Sequence, residues 1–389
     1  MQKTRKKQII LKINLLANYN IFDTIYYFFE KGELKMKREK LFAKFNNVKL
    51  DFNSRILLLT HTDMDGSGSS ILFKSIFPNV DTIYCANGVM DKTICDYATN
   101  EDTFENYDLI MVTDISCKKE TADKIATCAF AKDKIVILDH HKTTLQLNDF
   151  DFAVVTNENP IDSFNAEYFV DALGCASGTS LAYDFLLYKG FDVSNHKMAA
   201  FLAHSIAAYD TWDWVNVFDK NKHYTRLNAL FYILGAEYFE DNFVSKVRSS
   251  LPITDFFSSN DNLMLEIEEK KIKDYCERKA KCIMVFDAKI NKRVYSIALV
   301  SAENHLSNVF DTMNELYPDV DIYIADTGSS LSLRTRKDNI DVSEIAKIAG
   351  GGGHTQASGC YPNKKLRKLL VTKTLKTSFL ENLLSIIKK

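Results

Sequence analysis

Long apolar runs are missing from this chain of 389 residues: no stretch approaches the ~18 residues that cross a bilayer, and no secretory signal pattern is visible. Tryptophan is scarce, at two residues, and proline is rare, at five, which argues against a proline-rich tether. The eight cysteines fall at 85, 95, 117, 128, 175, 276, 282 and 360 with no Cys-x-x-Cys spacing. They read as reduced thiols, so a disulfide scaffold is excluded and the cytoplasm is the expected location. Internal repeats are absent, and the one low-complexity tract is a run of four glycines. Charge of one sign does not dominate either: the net is −2. Residues 1–55 nevertheless hold 13 Lys or Arg against five Asp or Glu, a net of +8, which leaves 36 minus 46, or −10, for the rest. Such an arm can attract nucleic acid, or it can be a solvated helical extension or an extended start with Met36 as an internal alternative.

What is present is a recurring pattern in the first half. Ile56 to Thr60 is a short apolar run of buried-strand length, followed at once by His61-Thr62-Asp63-Met64-Asp65-Gly66, with a helix expected over Ser67 to Phe77. Leu109 to Thr113 is a second run ending in Asp114, with a helix expected over Lys118 to Ala131. Ile135 to Leu138 is a third, closed by Asp139-His140-His141. Alternating strands and helices predict a parallel, doubly wound sheet whose strand carboxyl ends line the ligand crevice. All three clusters then share one edge. A helical stretch from His196 to Ala208 can bring Asp210 to the same edge. His61, Asp63 and Asp65 fall at alternate positions of an extended segment, which places all three side chains on one face.

Mixed carboxylate and imidazole clusters of this kind suit two divalent cations roughly 3.5–4 Å apart, a pair that can clamp a phosphoryl group during in-line displacement. With no cysteine in the clusters to favour soft metals, manganese is the first choice and magnesium or cobalt the alternatives. A lone Asp after a strand is ordinarily a turn or helix cap, so it is the conjunction of four clusters that carries this reading.

The second half supplies different features. Leu227, Leu230, Phe231 and Leu234 recur at helical spacing and read as core, whereas Leu263 to Lys281 alternates in charge and suits a solvated connecting helix. Val294 to Ser301, Asp321 to Ala325 and Ser330 to Arg336 read as strands, with a helix over Asn304 to Leu316. Gly350 to Gly353 follow a capped amphipathic helix over Asp341 to Ala349 and lead directly into His354. Glycines there let backbone N–H groups of Gly351, Gly352 and Gly353 approach a phosphate unobstructed. Arg334 offers a planar fork for the same group, with His354 as partner and Ser332 on the face of Arg334, while Arg336 is expected to be solvated.

Taken together, the His-x-Asp-x-Asp-Gly run, Asp114, Asp139-His140-His141 and Tyr209-Asp210 resemble motifs one to four of the DHH phosphoesterase family. The glycine run with His354 and Ala357-Ser358-Gly359 resembles the signature of the DHH-associated domain, and the likeness covers roughly residues 55 to 375. The resemblance implies that His61, Asp63 and Asp114 hold one metal and that Asp65, Asp114, His140 and Asp210 hold the other. It further implies that Asp139 orients a neighbouring histidine, that His141 faces the scissile phosphate, and that Ser301, Glu303, His305 and Asn308 lie near substrate.

The expected architecture is α/β: a basic N-terminal extension over 1–54, a catalytic domain over 55–250, a helical linker over 251–285 and a smaller α/β substrate-binding domain over 286–389. The expected activity is hydrolysis of short single-stranded RNA to mononucleotides, because a site that cuts one phosphodiester while a second domain grips another part of the chain favours short substrates. Trp212 and Trp214, beside Asp210, can stack bases or pack beneath the site. The alternatives are exonuclease action on single-stranded DNA, hydrolysis of linear dinucleotides or 3′-phosphoadenosine 5′-phosphate, and a non-catalytic binding role, with short DNA as a further possible substrate. No obligate protein partner or membrane is implied, and a homodimer stays open.

Overall fold

The computed structural model describes residues 37–86, 88–157, 175–191, 197–211 and 223–361. These fall into two compact units divided between Leu265 and Glu266.

The first unit is organised by five parallel strands: β1 (Arg55–His61), β2 (Asn79–Cys85), β3 (Leu109–Thr113), β4 (Ile135–Asp139) and β5 (Ala153–Val155), in the order β2-β1-β3-β4-β5. The apolar runs are buried on both faces. Ile56, Leu58, Leu109, Met111, Val136 and Leu138 enter one core, while Leu57, Leu59, Ile110, Val112, Ile135 and Ile137 enter the other. Alternation of side chains across the sheet requires this division, and full burial of each Leu, Ile or Val contributes about 1.5–3 kcal/mol.

Helices cover both faces. On one lie α2 (Met90–Ala98), α3 (Glu101–Asn106) and α4 (Lys119–Thr127). The other face is packed by α1 (Met64–Ile76), α5 (Gly178–Tyr188), α6 (Lys197–Asp210) and α7 (His223–Arg248), the last interrupted at Gly235. Leu227 and Leu230 of α7 are fully buried and Phe231 nearly so.

The strands β2 and β5 are absent from the sequence reading. One carries Asn79 and Asp81 at its exposed positions, which break up its apolar residues, and the other is three residues long, so neither shows a distinct apolar run. A larger correction concerns the extension expected over 1–54. Phe42, Phe45 and Val48 are buried in the first core, with Phe42 and Phe45 packed edge-on to Phe185. Lys44 donates to the carbonyls of Asn148, Phe150 and Ala153, and Lys189 donates to those of Phe45 and Val48. This part of the segment belongs to the domain, because Phe42, Phe45 and Val48 are three apolar side chains whose burial takes them out of water.

The division between the units falls inside α8 (Ser259–Ala280), most of whose length is exposed or half-exposed. The second unit is a mixed sheet of β6 (Met284–Ile290), β7 (Arg293–Ser301), β8 (Ile322–Asp326), β9 (Leu331–Arg334), β10 (Gly352–Gly353) and β11 (Ala357–Cys360), ordered β10-β11-β9-β8-β7-β6. Only β7 and β8 run parallel, joined by α9 (Leu306–Leu316). One face packs on α9 and the end of α8, and the other on α10 (Val342–Ile348), whose N-cap is Asp341. Among the described residues no helix is long and apolar enough to cross a membrane.

Candidate active site

Strand register builds the site. Thr60 pairs with Thr113, and Thr113 with Leu138, so the residues that follow, His61, Asp114 and Asp139, stand side by side at the carboxyl edge. The strand order reverses between β1 and β3, the place where a doubly wound sheet opens a crevice.

The segment after His61 is a turn into α1, which corrects the expectation of extended chain. Asp63 is the N-cap, its Oδ1 accepting from the N–H groups of Asp65 and Gly66, both at 3.1 Å. Its Oδ2 lies 2.6 Å from His61 Nδ1. Asp65, already helical, is carried to a different group, with Oδ2 3.9 Å from His140 Nε2. A shared face therefore does not gather these three residues; the helical turn distributes them between two clusters.

Asp114 stands between the clusters. Its Oδ1 lies 3.1 Å from His140 Nε2 and its Oδ2 4.0 Å from His61 Nδ1. The residue is 2% exposed, and its backbone is left-handed, with φ 61°. Asp210, the last residue of α6, brings Oδ2 to 3.6 Å from His140 Nε2. Three groups could each hold a metal ion: His61, Asp63 and Asp114; Asp65, His140 and Asp210; and Asp114, His140 and His141. Within each, the donor atoms all lie within 4.8 Å of one another.

Electrostatics supports cations here. Burial, followed by the charges of Asp65, Asp63, Asp210 and Asp139, drives the Asp114 carboxyl well above the usual range. Burial, together with Asp65 and Asp63, pushes Asp210 up to about 8. The Oδ2 of Asp114 is buried without a hydrogen-bond partner, which is costly unless a cation meets it. The donor set of carboxylates and imidazoles thus fits divalent ions.

Asp139 is held differently. Oδ1 accepts from His141 Nδ1 at 2.7 Å and from the His140 backbone N–H at 2.8 Å, while Oδ2 accepts from Ser116 Oγ at 2.5 Å and Thr144 Oγ1 at 2.8 Å. Burial pushes this carboxyl up, but the bonds from His141, Ser116 and Thr144 outweigh it and hold it below the ordinary range. The Asp139 hydrogen bond in turn raises His141. The His141 side chain is 53% exposed and lines a cavity of about 230 Å³ with His61, Asp114 and Thr144.

Gly178 and Thr179, at the start of α5, do not feature in the sequence reading. Their N–H groups donate to the two oxygens of Asp65 at 2.6 and 2.9 Å, and Thr179 Oγ1 donates to the Asp65 carbonyl. A Cβ on Gly178 would lie 2.4 Å from that of Asp114, so only glycine admits this approach. The available signal was the Ser177–Ser180 capping box ahead of an apolar helix. Ser116 and Thr144 had no signal beyond nearness to Asp114 and Asp139.

Trp212 and Trp214 lie outside the described residues. In the second unit, Arg334 donates to Ser332 Oγ at 3.2 Å and to the Leu333 carbonyl at 2.9 Å, and its guanidinium lies 5.2 Å from the centroid of the Phe310 ring. Arg336 is exposed and pairs with Asp311. The glycine run is a turn entering the edge strand β10, which joins β9 through β11: Gly352 pairs with Gly359, and Gly359 with Ser332. Gly351 N–H bonds to the Ala346 carbonyl and His354 N–H to that of Ala357, so these two donors already have partners. A Cβ on Gly351 would fall 2.1 Å from the Gly359 carbonyl oxygen, a close packing that requires glycine; Gly352, Gly353 and His354 are exposed. Glu303 bonds to Tyr275 and Lys279, and the His305 ring packs against Tyr275.

The model of the DHH family, N-terminal domain, matches residues 55–208. Oligoribonuclease NrnB of Bacillus subtilis (strain 168) is 30% identical over 323 residues, 82% of this chain and 76% of that protein. Among solved structures, the pGpG-specific phosphodiesterase PggH from Vibrio cholerae matches with a TM-score of 0.47 and 14% identity over 82% of this chain and 98% of its own. Exonuclease RecJ bound to manganese matches with a TM-score of 0.43 and 12% identity over 86% of this chain and 91% of its own. The aligned strand-end clusters, the family match and the extent of the likeness to NrnB lead to one conclusion: the chain belongs to the DHH family.

Proposed function

We propose that this protein is a metal-dependent phosphodiesterase that hydrolyses short single-stranded RNA to mononucleotides. The observation that carries the reading is Asp114, a buried carboxylate with one oxygen toward each of two His/Asp groups. Similarity to an oligoribonuclease over most of both chains supports the substrate class. In this reading His61, Asp63 and Asp114 hold one ion and Asp65, Asp114, His140 and Asp210 the other, manganese being the proposed metal. Such a pair would activate water and neutralise charge developing on a phosphoryl group.

The chain's own groups do the rest. Asp139 accepts the Nδ1 proton of His141, which leaves Nε2 directed into the cavity, where it can protonate a departing ribose oxygen. Ser116 and Thr144 fix the far oxygen of Asp139 and so the orientation of the imidazole. Ser332, Arg334, His354 and the exposed glycines at 352 and 353 are proposed to hold a substrate phosphate, with Gly351 shaping the turn. The proposed domains are a catalytic domain over 55–250 that also takes in the packed segment around Phe42 to Val48, a linker over 251–285 and a substrate-binding domain over 286–389. Free thiols, four of them buried, fit a reducing compartment such as the cytoplasm. Beyond self-association no obligate protein partner is invoked.

The test is Arg334→Ala. It is expected to weaken turnover of di- to tetraribonucleotides about tenfold or more through KM, the scale of a lost charge-assisted phosphate contact, while sparing a minimal activated phosphodiester such as bis-p-nitrophenyl phosphate. Equal loss on both substrates would contradict the assignment.

A further inference from the structure

We propose that β6 is an interface: it pairs antiparallel with the β6 of a second copy of this chain about a two-fold axis through Ala288. Among the described residues the strand is one of the two edges of the six-stranded sheet, the other being the two-residue β10. An open edge carries a row of unpaired N–H and C=O groups. Here it also carries apolar side chains that water meets, Met284 at 57% exposure, Val285 at 47% and Phe286 at 43%, with Val294 of the adjoining strand at 59%.

Hairpin geometry limits how a second strand can add. Asn291 and Lys292 both have positive φ, 46° and 69°, and form a two-residue loop closed by the pair Ile290 and Arg293. The pair that closes such a loop is hydrogen-bonded, so Ile290, Ala288, Phe286 and Met284 turn their backbone groups toward β7. The alternate residues Val285, Asp287 and Lys289 turn theirs outward. A symmetric antiparallel partner must match outward residues with outward residues, which restricts the axis to a residue position.

Five axes are available along the strand, at Val285 to Lys289. One at Val285 overlaps only Met284, Val285 and Phe286 and leaves the charges of Asp287 and Lys289 unmatched. An axis at Asp287 sets Asp against Asp, one at Lys289 sets Lys against Lys, and one at Phe286 sets Asp287 against Val285. An axis at Ala288 sets Asp287 opposite Lys289 twice, and sets Phe286 opposite Ile290 twice. Asp287 and Lys289 are exposed and without an ion pair among the described residues. A lone edge lysine discourages pairing. With an aspartate two residues away on the same face, it becomes self-complementary in this one register. Ala288 and Ile290 already pack against the core under α10, so Phe286 would extend that apolar face into the second copy.

The interface predicts a dimer of twice the 44.4 kDa chain mass by light scattering at micromolar concentration. Asp287→Lys and Lys289→Asp each replace two favourable cross-strand pairs by two repulsive ones and are expected to raise the dissociation constant about tenfold or more. The double reversal D287K/K289D is expected to restore the dimer. Ala288 faces its own copy in a non-hydrogen-bonded pair, with Cα atoms about 4.5 Å apart, within reach of a disulfide. Ala288→Cys, in a Cys282→Ser background, should therefore cross-link on oxidation, whereas Val285→Cys should not. This last arm needs no charge change and stands even if a reversed strand misfolds. A monomeric wild type, a dimer indifferent to both single reversals, or a double reversal that fails to restore it would overturn the proposal.

Discussion

Asp114 concentrates the chemistry of this site in one side chain. It occupies a left-handed conformation that costs an L residue about 1–2 kcal/mol, and it buries an oxygen with no hydrogen-bond partner beside other carboxylates. Replacement by Asn keeps the shape and removes the charge. Asp114→Asn is expected to abolish binding of about two manganese ions per chain, seen by calorimetry, and to lower kcat by about 10³-fold or more while the fold persists. Retention of full metal stoichiometry would contradict the bridging role.

The same crowding predicts how stability responds to pH. Carboxyls whose folded pKa is raised contribute stability that is complete below their unfolded value and is lost as pH climbs through the folded one. For Asp210 that window runs from about 4 to about 8, and Asp114 shifts in the same direction. His141, also raised, loses its contribution over the upper part of the range, whereas that of the depressed Asp139 is already established by pH 5. Chelated protein should therefore melt at a lower temperature at pH 8 than at pH 5, and manganese should restore it at pH 8. A melting temperature that rises with pH under chelation would refute this.

At the scale of elements, the site is the meeting of three strand ends with the beginnings of α1 and α5 and the end of α6. The strands were legible because parallel strands buried on both faces leave continuous apolar runs, as at Ile56–Leu59 and Leu109–Val112. The chemistry was legible because Asp and His at the end of such a run have no packing role to explain them. The path of the chain after His61 was not, because an N-cap aspartate and an extended one read alike until the first helical turn forms. Nor was the role of α5, whose Gly178 and Thr179 reach Asp65 from more than a hundred residues away and leave no local pattern. Gly178→Ala tests that contact: a Cβ 2.4 Å from that of Asp114 must displace it. The expected result is a loss of about 2–4 kcal/mol in chemical denaturation together with weakened metal binding. Unchanged metal affinity would show that α5 does not position the cluster.

At the scale of the whole molecule, the chain carries one unit with the metal-binding groups and another with an arginine, a histidine and an exposed glycine edge. In the proposed function hydrolysis belongs to the first and a hold on a substrate phosphate to the second, and with them comes a preference for short substrates. The most direct measurement is a length series of end-labelled RNA and DNA, from two to about twenty-four nucleotides, incubated with manganese beside an Asp139→Ala/His140→Ala control. The account predicts fastest conversion of the shortest RNAs to mononucleotides, slowing as length grows, and no conversion in the control. Preference for long single-stranded DNA, or no manganese-dependent cleavage of any chain, would contradict it.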